Sequence, residues 1–355
     1  MLKLMLQSHV SSRNYVTGLK QFVRSMTAIS LFQTNCLFIL LFICLYQSGF
    51  AQEKLRKVRF VAHWKAQAQF AGYYMAHDLG IYRKYGIDLE IVPGGPDNPS
   101  TVLLENGKVD FASLWLTNAV QLREKGVKIV NITQLINHSA LMLIAKKSSG
   151  IKSIQDMQGK KVGIWGGDFS IQPLSFFKKY NIQVTTVPLG ASVNLFLMDG
   201  VDVTSAMWYN EYHTIVNSGL NENELVSFFL SDHGLNFPEE GIYCSEELFR
   251  RDRQLCRDFV RATLEGWQMA FKQPERAIKC VMSYIKAGKY MASRSHEKWM
   301  LLRMKDLIFP GAIKEKFEIL SEKDYMLVCQ KLKEYGLIDN IPRFKEFYKA
   351  GELDR

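Results

Sequence analysis

The sequence predicts an α/β protein with two lobes, each built on a mostly parallel β-sheet flanked by helices. Short apolar runs alternate with segments of helical spacing, and this alternation starts a second time at Ser153. A long helical segment follows the second block. The 355 residues are also enough for two cores, since single cores rarely grow beyond about 250 to 300 residues.

The first block begins at Val58 and has the order strand, helix, strand. "VRFVA" is a short apolar run, "AGYYMAHDLGIYRKYG" has helical spacing and ends at Gly86, and "IDLEIV" is again strand-like. Helix "STVLLENG", strand "VDFASLW", helix "TNAVQLREKG" and strands "VKIVNITQLI" and "ALMLIAKK" follow. This order is typical of parallel βαβ layering.

The second block, "SIQDMQGKKVGIWGGDFSIQPLSFFKKYN", repeats helix, strand, glycine-containing turn and helix. Strand "QVTTVPL", helix "SVNLFLMDG" and strand "VDVTSAMW" come next, and the chain after Gly241 has helical spacing almost throughout, broken at Pro274. We predict a first lobe of residues 52–146 plus 240–355 and a second lobe of residues 147–239.

The first 51 residues have the pattern of a secretory signal peptide. A basic stretch without acids precedes the apolar run "CLFILLFICLY", and the small residues Gly49 and Ala51 follow it. We predict cleavage after Ala51 and a periplasmic protein. An uncleaved anchor is the alternative, and translation from Met26 would leave a signal of ordinary length.

Composition and motifs exclude several classes of function. Basic residues are scattered among acids, so no basic stripe of the nucleic-acid kind is present. The chain has no Gly-x-Ser-x-Gly elbow, no His-Glu-x-x-His, no Walker loop and no Gly-x-Gly-x-x-Gly, and its seven histidines lack metal-ligand spacing. We therefore expect no metal and no cofactor. An exported compartment permits disulfides, but we expect most of Cys244, Cys256, Cys280 and Cys329 to be buried thiols.

Two similar segments, "ENGKVDFASLW" and "MDGVDVTSAMW", mark candidate walls of a cleft. Each ends a helix at glycine, enters a strand through Val-Asp and leaves it with a tryptophan, Trp115 or Trp208. Ligands of open α/β sheets bind outside the carboxyl ends of the strands. We therefore predict that the two tryptophans form opposing walls of one cleft.

The segment "MWYNEYH" combines stacking faces with polar groups at the end of a strand. Trp208 and Tyr209 offer aromatic faces, while Asn210 and Glu211 offer amide and carboxylate hydrogen bonds to a small planar heterocycle. The alternative is a helix start capped by Asn210. The turn "GIWGGDFS" is compatible with an anionic or polar group at a helix N-terminus, or with a plain tight turn.

Five segments together resemble a known family: "HWKAQAQFAGYYMAHDLGIYRKYGIDLEI", "NGKVDFASLW", "SIQDMQGKKVGIWGG", "WYNE" and "LSEKDYMLVCQKLKEYGLI". They resemble the periplasmic-binding-protein family that contains bacterial thiamine-pyrimidine-precursor binders and fungal hydroxymethylpyrimidine phosphate synthases. The resemblance covers the mature chain, most clearly Val58 to Ala277. It implies a two-lobed periplasmic-binding-protein fold, type II-like, that closes on a ligand about a hinge.

The resemblance also implies a site between the lobes, with the loop from Trp64 to Phe70 at the crevice and the helix from Ala71 onward as scaffold. Glycines and polar residues of the "GIWGGDFS" turn would line the second lobe. The predicted ligand-binding residues are Trp64, Gln69, Phe70, Tyr73, Trp115, Asn118, Gly166, Gly167, Asp168, Ser170, Trp208, Asn210 and Glu211.

Catalysis is not expected from the resemblance. The fungal enzymes use a lysine that holds pyridoxal phosphate and a histidine consumed as substrate, and these positions fall on Leu114 and Asn118, which supply neither amine nor imidazole. We expect a monomeric binding component that delivers a thiamine pyrimidine precursor to the permease and ATPase of an ABC importer. A binder of sulfonate or nitrate, and a sensing module that acts through a membrane partner, are the alternatives.

Overall fold

The computed structural model describes residues 55–309 and 319–353. The predicted signal peptide, residues 1–51, lies outside these ranges. Within them, no helix is both long enough and apolar enough to span a bilayer.

Strands and helices alternate through the first two thirds of the described chain, and helices follow. The strands, in chain order, are β1 (Arg56–Val61), β2 (Ile87–Val92), β3 (Phe111–Trp115), β4 (Ile129–Gln134), β5 (Leu141–Lys146), β6 (Lys161–Ile164), β7 (Thr185–Pro188), β8 (Val203–Met207), β9 (Leu225–Phe229) and β10 (Glu240–Ser245). The helices are α1 (Ala71–Asp78), α2 (Ile81–Lys84), α3 (Ser100–Glu105), α4 (Leu116–Glu124), α5 (Ile171–Lys179), α6 (Asn194–Leu197), α7 (Glu211–Asn217), α8 (Glu246–Arg251), α9 (Arg253–Lys272), α10 (Pro274–Ala287), α11 (Arg294–Ile308), α12 (Glu322–Glu334) and α13 (Phe344–Phe347).

The strands form two five-stranded sheets, with the orders β2-β1-β3-β10-β4 and β7-β6-β8-β5-β9. In the first sheet β1 runs parallel to β2 and β3, and in the second β6 runs parallel to β7 and β8. The antiparallel members are β10 and β5, each placed between two neighbours. The predicted class, two lobes with mostly parallel sheets, is confirmed.

Two predicted boundaries differ from the structure. Strand β5 pairs with β8 and β9 of the second sheet, whereas the predicted border at residue 146 assigns it to the first lobe. Its sequence "LMLIA" is apolar on both faces and fits either sheet, so only the pairing decides. The helical segment predicted after Gly241 begins at Glu246, because Ile242–Ser245 belongs to the buried strand β10.

Helix α1 packs directly on α9 through two glycines. A Cβ atom at Gly266 would lie 2.2 Å from the carbonyl oxygen of Gly72, and one at Gly72 would lie 2.3 Å from the ring of Trp267. Trp267 is fully buried. The absence of both side chains therefore allows the helix backbones to approach closely, which fixes α1 and the loop that leads into it.

All four described cysteines are buried, in agreement with the prediction of buried thiols. Burial raises the pKa of Cys280 and of Cys329 to about 12. The Sγ atoms of Cys244 and Cys256 lie 3.9 Å apart in the core beneath β10. These thiols contribute to packing rather than to the surface chemistry of the protein.

We predict that Gly266→Ala destabilises the protein by about 1–3 kcal/mol, because the added methyl group meets backbone that cannot move aside. Helix propensity alone predicts the opposite sign, a gain of about 1 kcal/mol. Urea unfolding followed by circular dichroism measures the difference. Gly351→Ala is the matched control, since a Cβ there meets no atom within 4 Å. Equal stability of the two variants would contradict the packing argument.

Candidate functional site

A cavity of about 510 Å³ opens between the two lobes. Its volume lies within the range of about 300–1,000 Å³ that is usual for small-molecule sites. The lining residues come from both lobes and are mostly aromatic, amide or small. They are His63, Trp64, Gln67, Gln69, Gly95, Pro96, Pro99, Ser100, Thr101, Trp115, Asn118, Trp165, Phe169, Gly190, Ala191, Met207, Tyr209, Asn210 and Glu211.

The carboxyl ends of parallel strands supply most of this lining. In the first lobe, His63 and Trp64 follow β1, and Trp115 ends β3. In the second lobe, Trp165 follows β6 and Asn210 follows β8. The cavity therefore lies at the crevice where ligands bind in open α/β sheets, as the strand pattern predicts.

Aromatic rings from the two lobes meet inside the cavity. Trp115 lies edge-on to His63 at 5.3 Å between ring centroids and edge-on to Phe169 of the other lobe at 5.1 Å. Trp165 contacts the same Phe169 at 6.2 Å. Trp64 stands at the mouth with 43% of its surface exposed. This arrangement offers several flat apolar faces to a planar ligand.

Glu211 is the one acidic residue among the described residues that line the cavity. One carboxylate oxygen accepts the N–H of Met207 at 3.0 Å, and the other accepts Nδ2 of Asn210 at 2.7 Å. Burial raises the pKa of Glu211, and the hydrogen bond from the Met207 N–H opposes that rise. The carboxylate is thus held in one orientation as a hydrogen-bond acceptor.

The cavity holds no lysine and no arginine among the described residues around it. Its histidine, His63, is neutral, because burial lowers the pKa of the ring to about 3. With Glu211 as an acid and no cation opposite, the electrostatic field of the cavity disfavours an anionic ligand.

The floor of the cavity is a hydrogen-bonded group of polar side chains. His63 Nδ1 lies 2.9 Å from the hydroxyl of Ser113, and its Nε2 lies 3.3 Å from the Gln69 amide. The same amide lies 3.4 Å from the Tyr209 hydroxyl of the second lobe. Gln69 therefore spans the floor from one lobe to the other.

Two adjacent buried acids lie behind this floor, where the chain returns to the first sheet. Tyr73 donates its hydroxyl to Glu240 at 2.8 Å, and the N–H of Ala140 donates to Glu239 at 2.5 Å. Burial raises the pKa of each glutamate to about 8. One carboxylate oxygen of each acid has no hydrogen-bond partner among the described residues.

The structure divides the predicted ligand-binding residues into several groups. Six line the cavity: Trp64, Gln69, Trp115, Asn118, Asn210 and Glu211. Phe70 and Tyr73 are fully buried behind it; Phe70 packs edge-on against His63, and Tyr73 is bound to Glu240. Tyr73 belongs to α1 and Phe70 to the turn that precedes it; both side chains pack into the core, whereas Trp64, Gln67 and Gln69 face the crevice.

The turn residues Gly166, Gly167, Asp168 and Ser170 do not line the cavity. The Asp168 carboxylate accepts hydrogen bonds from the Thr117 hydroxyl and, at 2.9 Å, from the Asn118 amide. Ser170 donates to the Gly167 carbonyl at 2.6 Å within the turn. The alternative of a plain tight turn fits this segment, and Asp168 ties the second lobe to the first.

Trp208 does not form the opposing wall, contrary to the prediction. Its ring packs on Phe229 at 5.8 Å, and the guanidinium group of Arg303 lies 4.7 Å from its ring centre. The chain turns directly after β8, so Trp208 faces α11 while Asn210 and Glu211 face the cavity. Trp165 and Phe169, which come six and two residues before Ile171, supply the aromatic wall instead.

Sequence reasoning missed several lining residues, chiefly His63, Trp165 and Phe169. His63 is the second residue after β1 and Trp165 the first after β6, so the same rule that selected Trp115 also applies to them. Phe169 had no comparable signal, because its position depends on how the turn after β6 folds.

Comparison with known proteins links this geometry to a family. The family model described as "NMT1/THI5 like" matches residues 67–277, more than half of the chain. Two proteins named 4-amino-5-hydroxymethyl-2-methylpyrimidine phosphate synthase are each 26% identical: one from Schizosaccharomyces pombe over 41% of this chain and 42% of its own length, and one from Legionella pneumophila over 69% and 72%. The chain thus spans less than half of the fission yeast relative.

Two further similar proteins are named for binding rather than for catalysis. The riboflavin-binding protein RibY of Chloroflexus aurantiacus is 25% identical over 66% of this chain and 68% of its own length. The periplasmic aliphatic sulphonate binding protein SsuA of Escherichia coli superposes with a TM-score of 0.63 at 16% identity, covering 82% of this chain and 91% of that structure. At this identity the superposition shows a shared fold.

We predict that Glu240→Gln stabilises the protein more at pH 8 than at pH 5. Burial raises the pKa of Glu240 from 4.5 to about 8, so the folded state keeps a proton that the unfolded chain releases, and wild-type stability falls as pH rises from about 4.5 to 8. The gain at pH 8 should exceed that at pH 5 by more than about 1 kcal/mol. Urea unfolding at both pH values measures it, with exposed Glu90→Gln as control. The same gain at both pH values would contradict the argument.

Proposed function

The chain belongs to the NMT1/THI5-like family, and we propose that it is an exported solute-binding protein that encloses a small heterocycle between its lobes. The ligand class is a thiamine pyrimidine precursor, such as a hydroxymethyl- or formyl-aminopyrimidine. One observation carries the proposal: aromatic faces from both lobes surround one oriented carboxylate, without a cation among the described lining residues.

The polar groups of the cavity match the edge of an aminopyrimidine. Its amino group is a hydrogen-bond donor for the Glu211 carboxylate, and its ring nitrogens are acceptors for amide N–H groups such as those of Asn118 and Asn210. Trp115 and Trp165 offer faces on which the ring can stack. Each feature of the ligand thus has a partner of the right chemistry.

A sulfonate or nitrate fits this cavity poorly. Such anions are usually held by arginine, lysine or several converging N–H donors, and the described lining contains an acid instead. The similarity to the sulphonate binding protein concerns the fold alone. We therefore propose a neutral or cationic ligand.

A synthase activity is disfavoured on chemical grounds. Leu114, at the position where the resemblance expects the lysine that holds pyridoxal phosphate, is a fully buried leucine on β3. It has no amine with which to form an imine. Purified protein mixed with pyridoxal phosphate should show no imine absorbance band, and formation of the pyrimidine phosphate would overturn this part of the proposal.

The proposed output is transport. A two-lobed exported binding protein would deliver its ligand as a monomer to the permease and ATPase of an ABC importer in the inner membrane. A sensing role through a membrane signalling partner uses the same closure and stays the alternative. Growth on the precursor as the sole source of the thiamine pyrimidine, with and without this gene, tests delivery directly.

A second candidate ligand is a flavin-like tricycle. The cavity of about 510 Å³ leaves most of its volume free around a single six-membered ring, and Trp64, Trp115 and Trp165 offer a wider apolar surface than one ring covers. The similarity to a riboflavin-binding protein supports this reading. Riboflavin is uncharged and rich in amide-type hydrogen-bonding groups, so it also fits a cavity whose charge disfavours anionic ligands.

We predict that Glu211→Gln weakens binding of 4-amino-5-hydroxymethyl-2-methylpyrimidine at least about tenfold, because a charge-assisted hydrogen bond to the amino group becomes a neutral one. Isothermal titration calorimetry of the mature chain measures the affinity. Glu222→Gln, an exposed acid of the same lobe, is the control. Stabilisation of the protein by sulfonates alone would overturn the proposed ligand class.

We predict that Trp115→Leu weakens binding of the true ligand about three- to tenfold, whereas Trp115→Phe retains most of it, because an aromatic face stacks more favourably than an aliphatic one. Riboflavin fluorescence quenching and pyrimidine calorimetry, run in parallel, identify which ligand responds. Tight binding of riboflavin together with no binding of the pyrimidine would favour the second candidate. Equal affinity of the Leu and Phe variants would exclude stacking on Trp115.

A further inference from the structure

We propose that helix α11 (Arg294–Ile308) holds the ligand-facing loops of both lobes, with His296 as the positioning residue for Asn210 and Glu211. We call its five contact residues the crossbar: His296, Glu297, Trp299, Met300 and Arg303. The positional part of the inference stands on contacts within the protein. Its consequence for ligand choice rests on the proposed function.

One face of the crossbar holds the first lobe. The buried carboxylate of Glu297 accepts the N–H of Ala68 at 2.6 Å, and Met300 sulfur accepts the N–H of Gln69 at 3.2 Å. Both bonds go to the backbone of the loop that carries Gln67 and Gln69 into the cavity. Glu297 and Met300 are three residues apart, so they share one face of the helix.

The neighbouring face of the crossbar holds the second lobe. His296 Nε2 lies 2.9 Å from Oδ1 of Asn210, and the Trp299 indole N–H donates to the Trp208 carbonyl at 3.1 Å. The Arg303 guanidinium lies 4.7 Å from the ring centres of both Trp208 and Trp299. These residues fall at i, i+3 and i+7, which again defines one helix face.

The positions of the protons in this second face follow from Glu211. The Asn210 amide turns its Nδ2 toward Glu211 and its Oδ1 toward His296, and in this arrangement the Glu211 carboxylate, which also receives the Met207 N–H, acts as an acceptor. His296 must then carry its proton on Nε2. Its Nδ1 is left as an acceptor, 3.0 Å from Nδ1 of His213.

The same logic assigns the proton of His213. Since His296 Nδ1 is an acceptor, His213 must carry a proton on Nδ1 to bind it. The Asn217 amide nitrogen lies 3.1 Å from this His213 atom, and a half-turn of that amide lets its oxygen share the N–H. One carboxylate in the cavity thus fixes four groups in a row: Asn210, His296, His213 and Asn217.

This row of hydrogen-bonded groups, Asn210, His296, His213 and Asn217, which we call the relay, has a consequence for the ligand. Asn210 uses its oxygen for His296 and one N–H for Glu211, so it presents its second N–H, beside the Glu211 acceptor. A donor next to an acceptor on the protein matches an acceptor next to a donor on the ligand. An amino group beside a ring nitrogen has this pattern, and loss of His296 would remove the partner that holds the Asn210 Oδ1, so the side chain that presents the pattern would be less firmly fixed.

The tautomers test the relay without any ligand. In ¹⁵N-histidine correlation spectra at neutral pH, His296 should be protonated on Nε2 and His213 on Nδ1, with assignments from His296→Gln and His213→Gln. The Nδ1-protonated form of His213 is the diagnostic result. A His296 ring protonated on Nδ1 would overturn the relay.

Affinity measurements test the positioning role. His296→Leu should weaken binding of 4-amino-5-hydroxymethyl-2-methylpyrimidine or riboflavin about tenfold, whereas His296→Gln, which keeps an N–H donor, should stay within about threefold of wild type. Exposed Leu302→Ala on the same helix is the control. Equal losses in the Leu and Gln variants, at unchanged thermal stability, would contradict positioning by His296.

The two arms separate the failure of the relay from the failure of the proposed function. If wild-type protein binds neither probe, the proposed ligand class is wrong, and the histidine tautomers still decide the relay. If the probes bind and the tautomers differ from those expected, the relay is wrong and the ligand class stands. If His296→Leu does not fold, the spectra of the wild type supply the decisive result.

Discussion

The two crossings of the chain between the sheets determine the geometry of this protein. After each crossing the entering strand, β5 or β10, joins the new sheet antiparallel and between two neighbours. This insertion leaves the carboxyl ends of the parallel strands in both lobes facing one crevice. The aromatic lining, the oriented Glu211 and the contact between Asp168 and Asn118 all depend on that shared edge.

The return crossing from the second sheet to the first also contains two buried acids whose ionisation inside the protein is unfavourable. Glu239 and Glu240 are adjacent, fully buried and only partly hydrogen-bonded, and burial raises the pKa of each to about 8. Ionisation of either group in this apolar setting is unfavourable. The two acids lie behind Gln69 and Tyr209 of the floor, so a change in their protonation takes place next to polar groups that line the cavity.

Helix α11 forms a third connection between the lobes, in addition to the two crossings of the chain. Its side chains contact the loop after β1 in one lobe and the loop after β8 in the other. Large-scale opening of the cleft would therefore break one of these two sets of contacts. The side chains of Met300 and Met304 are buried, and the Met300 sulfur accepts the Gln69 N–H of the first lobe.

The amino-acid sequence by itself determined the alternation of strands and helices, the family, and the placement of Trp115, Asn118, Asn210 and Glu211 near a crevice. The alternation follows from local periodicity, and the placement of Trp115, Asn210 and Glu211 from the rule that strand ends face the ligand. The family and the position of Asn118 follow from the resemblance of the motifs. Tertiary structure alone decided that Trp208 packs on Arg303, that Asp168 joins the lobes, and that β5 belongs to the second sheet. An apolar strand fits either sheet and a tryptophan fits a core or a cleft, so only long-range packing distinguishes them.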